Sequence, residues 1–301
     1  MRYYSLNDYC KKTFGEKVYK LSLNGGMTCP NRDGSLSYTG CFYCSEGGSG
    51  DFASDSSLPI AAQLTEARRR LSSKTDCRKF IAYFQAFTNT YAPVEYLEKI
   101  FYEAISDPSV CVLSIGTRTD CFNDEIYDLL SRLNNIKPVW IELGLQSIHQ
   151  STLDAMNTHT KVSDFTVVCN ELNKRSIKVI AHLILGLPGE TKEMMLESVD
   201  FAAKSNIFGI KLQLLHVLRN TKLAELYEKD PFPLFSLEEY CDFIVDCIER
   251  LPPGIVIHRM TGDGPRKLLI APMWSTDKKR VLNTINQNFI KRNTYQGRFF
   301  M

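Results

Sequence analysis

Three cysteines within sixteen residues carry the strongest chemical signal in this 301-residue chain. The stretch reads Thr28-Cys29-Pro30-Asn31-Arg32-Asp33-Gly34 and, six residues on, Gly40-Cys41-Phe42-Tyr43-Cys44. Thiolates spaced in this way are ligands for zinc or for an iron–sulfur cluster. The number three is informative. A structural zinc closes its tetrahedron with four protein ligands, and no histidine precedes His149 to supply the fourth. Cys10 could serve only by folding back. A cuboidal cluster on three thiolates instead keeps one iron open, as a catalytic centre requires. A closed zinc knuckle is the structural alternative. Most of the remaining cysteines sit in scattered apolar contexts: Cys111, in Val110-Cys111-Val112-Leu113, and Cys169, Cys241 and Cys247, in helical patterns, read as small buried hydrophobes.

Further polar residues stand where apolar runs end. Gln85, Thr88 and Asn89 lie in Phe84-Gln85-Ala86-Phe87-Thr88-Asn89-Thr90-Tyr91, which could also be a plain polar turn. Arg118 and Asp120 close Ser114-Ile115-Gly116-Thr117-Arg118-Thr119-Asp120 and either bind a ligand or pair with each other. Glu142 and Gln146 fall inside Glu142-Leu143-Gly144-Leu145-Gln146-Ser147, where burial is expensive unless they are paired or face a polar cavity. Leu185 and Gly186 belong to His182-Leu183-Ile184-Leu185-Gly186-Leu187-Pro188-Gly189-Glu190, whose glycines and proline permit a tight turn. Lys211, Gln213 and His216 mark another such end. His216 reads equally as a structural histidine or as a substrate or proton-relay group.

These positions need a scaffold that brings strand ends together. The predicted strands are Val18–Leu23, Phe80–Gln85, Val110–Ile115, Val139–Leu145, Lys178–Leu185 and Gly209–Leu215. They are nearly continuous apolar runs, as expected of parallel strands covered on both faces. Helices are predicted over Ile60–Ser72, Val94–Ser106, Asp124–Leu133, Lys161–Lys174 and Lys192–Lys204. Alternation of this kind gives an α/β fold with a parallel sheet or barrel. Six βα units suit a partial (β/α)6 barrel, with an open doubly wound sheet as the alternative. The chain divides into residues 1–230, the core with its N-terminal segment and cysteine loop, and 231–301, a C-terminal extension. That extension holds a helix around Leu237–Arg250 and a strand-like run at 254–259. The segment His258-Arg259-Met260-Thr261-Gly262-Asp263 could close the barrel mouth.

At this point the residues resemble a known family. The cysteine motif is similar to that of the radical S-adenosylmethionine (SAM) superfamily, whose common spacing is C-x3-C-x2-C. Here eleven residues separate Cys29 from Cys41. A widened first gap marks the YhcC/YtqA-like branch, related to the elongator catalytic subunit. The runs Leu6-Asn7-Asp8-Tyr9, Phe14-Gly15-Glu16-Lys17-Val18 and 28–34 look like that branch's N-terminal signature, and the resemblance covers essentially the whole chain. It implies a partial TIM-type barrel, a [4Fe–4S] cluster on Cys29, Cys41 and Cys44, and SAM as cofactor. It implies SAM contacts from Tyr43, Gln85, Thr88, Asn89, Glu142, Gln146, Leu185 and Gly186, and active-site roles for Arg118, Asp120 and His216. A one-electron donor such as flavodoxin or ferredoxin is implied as partner. The branch includes enzymes that modify the wobble uridine of tRNA, so conversion of 5-carboxymethylaminomethyl(-2-thio)uridine to the 5-aminomethyl form is expected. Acetyl transfer is not, since no acetyltransferase domain follows.

Charge distribution bears on the same point. Residues 264–301 hold eight Lys or Arg against one Asp, in a chain whose net charge is only +2. Arg266, Lys267, Lys278, Lys279, Arg280, Lys291 and Arg292, with Arg259 upstream, interleave with Trp274, Phe289, Tyr295, Phe299 and Phe300. Basic groups neutralise phosphates and aromatic faces stack on bases, so these residues are candidate RNA contacts. A solvated amphipathic helix with its aromatics in the core is the structural alternative. Two other functions fit the chain: a radical SAM enzyme on a small molecule or peptide, and a non-catalytic, metal-stabilised RNA-binding protein. No apolar run approaches the roughly 18 residues of a bilayer span, and no signal-peptide core opens the chain. A cytoplasmic protein is expected.

Overall fold

The computed structural model describes residues 2–72, 75–262 and 264–300. Helix α1 (Leu6–Phe14) comes first, capped by Ser5, whose hydroxyl accepts from the Asp8 N–H, and ended by Gly15 in a left-handed conformation. The chain then alternates strand and helix: β1 (Tyr19–Leu23), α2 (Ile60–Ser72), β2 (Phe80–Phe84), α3 (Val94–Ser106), β3 (Val110–Thr117), α4 (Asp124–Asn134) and β4 (Val139–Gln146). It continues through α5 (Gln150–Ala155), α6 (Val162–Lys174), β5 (Lys178–Leu185), α7 (Lys192–Lys204) and β6 (Gly209–Leu214). The last part comprises β7 (Val217–Leu218), α8 (Lys222–Lys229), α9 (Leu237–Glu249), β8 (Val256–Arg259), β9 (Leu269–Ala271) and α10 (Lys278–Lys291).

Seven strands form one parallel sheet in the order β1-β2-β3-β4-β5-β6-β8, while β7 and β9 pair antiparallel beside it. The sheet is a curled partial barrel, as expected, with seven strands in place of six. The seventh is the strand-like run placed in the C-terminal extension: β8 pairs in parallel with β6, Gly209 opposite Val256 and Ile210 opposite Ile257. The free edge of β8 is covered by the N-terminal segment, where the Ile257 N–H donates to the Tyr4 carbonyl at 2.8 Å.

Alternation along each strand sorts the side chains into two sets. One set, including Leu21, Phe84, Leu113, Ile141, Leu183 and Leu212, faces the helices in the main core. The other fills the barrel in layers. The lowest layer is apolar: Ile81, Val112, Trp140, Ile180 and Val256, closed from below by Tyr9 and Cys10 of α1. Two residues further along each strand come Tyr83, Ser114, Glu142, His182 and Lys211, a polar layer. Above it lie Gln85, Gly116, Gly144, Ile184 and Gln213, which line open cavities at the C-terminal ends of the strands. The barrel is therefore plugged at one end and polar at the other, and only the second can hold a reaction.

Candidate active site

The loop between β1 and α2 has no regular secondary structure from Asn24 to Ser57. It is built by short turns around the cysteines. The Arg32 N–H donates to the Cys29 carbonyl at 2.8 Å and the Cys44 N–H to the Cys41 carbonyl at 2.9 Å. Arg32 bridges the two halves, donating from Nη2 to the carbonyls of Cys44 at 2.8 Å and Ser45 at 2.7 Å. Asn31 donates to the Asn157 carbonyl at 2.6 Å, and Asn157 donates to the Gly40 carbonyl at 2.9 Å, fastening the loop to the end of α5. The sequence reading overlooked Asn31, Arg32 and Asn157. Their signal is local: two of them sit between the first two cysteines.

Cys29, Cys41 and Cys44 line one cavity of about 150 Å³, together with Tyr43, Gln85, Thr88, Arg118, Glu142, Gln146 and His182. Among the described residues, no three His, Cys, Asp or Glu side chains group tightly enough for a single metal ion. A cubane cluster needs a different arrangement, one thiolate for each of three irons around a shared volume. The cavity wall also holds an orphan: Gln146 Oε1 is buried without a hydrogen-bond partner, on a residue whose φ is +64°. A left-handed, non-glycine residue is strained, and strain of this kind collects at ligand sites. Burial pushes the Cys44 thiol up to about 11, with Cys41 adding to the shift and Arg32 opposing it. Burial likewise raises the Cys41 thiol, against the opposing charge of Arg118. Such thiols become ligands only when a Lewis-acidic metal takes their protons. Three thiols, an unpartnered acceptor and a polar wall fit a cluster with a polar cofactor beside it.

The remaining expected site residues fall into three groups. Arg118 reaches the cysteine cavity, and Asp120 behind it accepts a two-pronged bond, 2.8 Å from Nε and 2.7 Å from Nη2. Asp120 itself opens on a different hollow, with Thr90 and Phe122, so pairing and ligand access are both realised for Arg118. Tyr43, Gln85 and Gln146 lie between the cysteine cavity and a second of about 170 Å³, which also holds Lys211, Gln213, His216 and Arg259. His216 Nδ1 accepts from the Gly264 N–H at 3.0 Å, and a Cβ at Gly262 would lie 2.1 Å from Nε2. Only glycine lets the backbone approach the ring so closely. Asp263, between them, lies outside the described residues. Asn89, Leu185 and Gly186 are not at either cavity. Asn89 spends its amide N–H groups on the Phe84 and Gly116 carbonyls at 3.2 and 2.8 Å, tying β2 to β3. Leu185 is buried in the core between sheet and helices, and Gly186 faces a hollow with Phe232 and Phe235.

Glu142, expected to be paired or to face a polar cavity, does both. Its fully buried carboxylate pairs with both Lys20 and Lys211, accepts from Ser114 Oγ at 2.8 Å, and lies 2.9 Å from His182 Nε2. Burial works against the charge, but Lys20 and Lys211 outweigh it and hold the carboxyl well below its usual range. Burial also lowers His182 to about 4, with Lys211 adding to the fall and Glu142 opposing it. Lys211 is marked by the sequence only as a strand-end residue and Lys20 and His182 not at all, because the three come from separate strands and only the barrel brings them together.

The C-terminal expectation divides as well. Lys267, Lys279 and Lys291 are exposed, as are Arg266, Lys278 and Arg280. Arg280 lies 3.9 Å from Glu238, a loose surface pair. Arg292 is not an open RNA contact: its guanidinium is held by Asp242, Asp246 and Glu249 of α9, at 3.3, 2.7 and 2.6 Å. Arg259 lies at the barrel mouth and not on the tail surface. Phe289 is fully buried and Trp274 donates to the Phe235 carbonyl at 3.0 Å, so both are structural. Tyr295, Phe299 and Phe300 are exposed. Among the described residues no helix is long and apolar enough to cross a membrane.

Comparison with known proteins follows the same lines. Residues 28–202 match the model of the radical SAM superfamily, and residues 207–291 that of the radical SAM C-terminal domain. The chain is 42% identical over 299 residues to the protein YtqA of Bacillus subtilis (strain 168), covering 99% of this chain and 93% of that one. It is 26% identical over 169 residues to a tRNA uridine(34) acetyltransferase of Methanocaldococcus jannaschii, covering 53% of this chain and 30% of that one. The solved structure of the archaeal Methanocaldococcus infernus Elp3 has the same fold, with a TM-score of 0.70 at 16% identity, covering 93% of this chain and 64% of that one.

Proposed function

Because this chain belongs to the radical SAM superfamily and is an enzyme that uses a [4Fe–4S] cluster and SAM, we propose that it modifies the wobble uridine of tRNA. The reaction we assign is conversion of 5-carboxymethylaminomethyl(-2-thio)uridine to 5-aminomethyl(-2-thio)uridine: hydrogen would be abstracted from the methylene beside the carboxylate, the carbon radical would lose one further electron to the oxidised cluster to give an imine, and water would cleave that C–N bond and release the two-carbon unit as glyoxylate. Cys29, Cys41 and Cys44 hold the cluster in this reading. When bound, cluster and SAM supply a 5′-deoxyadenosyl radical, which removes hydrogen from an unactivated C–H bond that acid–base chemistry does not reach. The chain's own residues orient and enclose. Tyr43, Gln85, Thr88 and Gln146 line the cavity beside the thiols and offer polar atoms to SAM. Arg118, held in place by Asp120, adds a fixed cation there. The adjoining cavity, under His216 and Arg259, receives the uridine base.

The observation that carries the tRNA assignment is the exposed basic set Arg266, Lys267, Lys278, Lys279, Arg280 and Lys291. It stands with exposed Tyr295, Phe299 and Phe300 in the same C-terminal region. Phosphate-neutralising cations beside stacking faces are a nucleic-acid footprint, and a relative is named for action on tRNA uridine 34. In this reading the enzyme works in the cytoplasm, with flavodoxin or ferredoxin as one-electron donor. The test is a comparison of tRNA nucleosides from cells with and without the gene. Loss of the protein is expected to raise 5-carboxymethylaminomethyl nucleosides and lower the 5-aminomethyl ones. Identical nucleoside profiles, with intact SAM cleavage by the purified enzyme, would point to a small-molecule or peptide substrate instead.

A further inference from the structure

The eleven residues between Cys29 and Cys41 form a closed loop, not a loose insertion. The Leu36 N–H donates to the Pro30 carbonyl at 2.8 Å, and the Gly40 N–H donates to the Asn31 carbonyl at 2.7 Å. The second bond joins the two ends of the loop, so Asn31 stands beside the residue that precedes Cys41. Gly40 permits this closure: its φ is +74°, where a residue with a Cβ is strained. Asn31 is fully buried. Its side-chain nitrogen donates to the Asn157 carbonyl at 2.6 Å and to Cys41 Sγ at 3.4 Å. An amide NH2 has two donors, and these two acceptors use both. The Asn157 carbonyl can only accept, so the amide is held with its nitrogen, not its oxygen, toward the sulfur. Among the described residues Asn31 Oδ1 has no partner. A buried acceptor left unpaired costs stability, so what this side chain contributes comes from its N–H side.

We infer that Asn31 tunes the cluster: its N–H bond to the Cys41 sulfur raises the reduction potential of the [4Fe–4S] centre. The Cys41 thiol stands here for the thiolate that ligates an iron when the cluster is bound. A reduced cluster carries more negative charge on its sulfurs, so a hydrogen-bond donor at that sulfur favours the reduced state. Asn31 acts through Cys41 and is a positioning residue, not a catalytic one. The widened gap between the first two cysteines then has a use, since its closure is what carries a donor from beside Cys29 to the sulfur of Cys41. The inference rests on the cluster and is independent of the tRNA reading.

The test is a redox titration of the anaerobically reconstituted enzyme, followed by EPR, without SAM or tRNA. One such bond is expected to change the ratio of reduced to oxidised cluster about three- to tenfold at a fixed potential, a tenfold change being about 59 mV for a one-electron couple. Asn31→Leu is expected to lower the midpoint by that amount. Asn157→Gly controls for loop packing. It removes the side-chain bonds to Thr39 and Gly40, at 3.0 and 2.9 Å, and keeps the carbonyl that holds Asn31. Glycine also suits the φ of +54° at that position. Its midpoint is expected to match the wild type. A wild-type midpoint in Asn31→Leu overturns the inference. An equal fall in both variants also overturns it, since loop packing then sets the potential. Should Asn31→Leu fail to load a cluster, pulsed EPR decides on reduced wild type and Asn157→Gly, each labelled with nitrogen-15 in the asparagine side-chain amides. A coupling of that nitrogen to the cluster is expected in both, and its absence overturns the inference.

Discussion

At the scale of single residues, the interior of the barrel depends on Glu142. Its replacement by alanine removes the carboxylate shared by buried Lys211 and half-buried Lys20. Breaking a buried pair costs about 3–5 kcal/mol, so the thermal midpoint is expected to fall by about 6–20 °C. A fall smaller than a degree or two would mean that water, and not Glu142, carries the compensation. The same layer makes stability depend on acid. His182 titrates at 6.5 in an unfolded chain and at about 4 here, so between those values the unfolded state binds more protons. Stability therefore rises with pH from about 4 to 6.5 and is lost as pH falls through that window. His258, which burial also holds well below its ordinary value, acts in the same direction. Glu142 joins only below its unfolded value of 4.5, again losing stability as pH falls. Replacing His182 and His258 by glutamine should flatten the stability curve between pH 6.5 and 4.5, measured by denaturant unfolding. An unchanged slope would move its origin elsewhere.

At the scale of elements, periodicity located most of the frame. The helices Ile60–Ser72, Val94–Ser106 and Lys192–Lys204 and the strand Lys178–Leu185 have the bounds expected from their apolar patterns. β3 and β4 run further, to Thr117 and Gln146, because Gly116 and Gln146 keep pairing where their side chains give no apolar signal. The run 254–259 reads as strand-like from its sequence, but its place in the main sheet is specified only by the pairing of β8 with β6. The cysteine loop was legible because its chemistry is local in sequence, whereas the Lys20–Glu142–Lys211 cluster was not, since its members come from three strands. Helix α10 shows how charge alone misleads. Its residues Val281, Ile285 and Phe289 are buried while Lys279 and Lys291 are exposed. Phe289→Ala should cost about 3–5 kcal/mol in denaturant unfolding without altering the salt dependence of tRNA binding in protein that remains folded. Neutralising Lys267, Lys279 and Lys291 should do the reverse, reducing the salt slope by about one per residue and leaving the thermal midpoint within a degree or two. A salt slope that survives all three changes would put RNA on another face.

At the scale of the whole molecule, one parallel sheet spans both parts of the chain, with β8 contributed by residues beyond 231. The plugged end, filled by Trp140 and Tyr9, carries the packing, and the open end carries the thiols and the polar cavities. That division puts the thiol cavity and the cavity beside it at the same end of the barrel. The central claim is that one radical event at this end acts on tRNA. Its most direct measurement uses anaerobically reconstituted enzyme, SAM, a reductant and tRNA bearing 5-carboxymethylaminomethyluridine. The account predicts 5′-deoxyadenosine formed in step with loss of that nucleoside and gain of its aminomethyl form, and neither product once Cys29, Cys41 and Cys44 are changed to alanine. Formation of 5′-deoxyadenosine at the same rate with or without tRNA, and with no nucleoside altered, would contradict it.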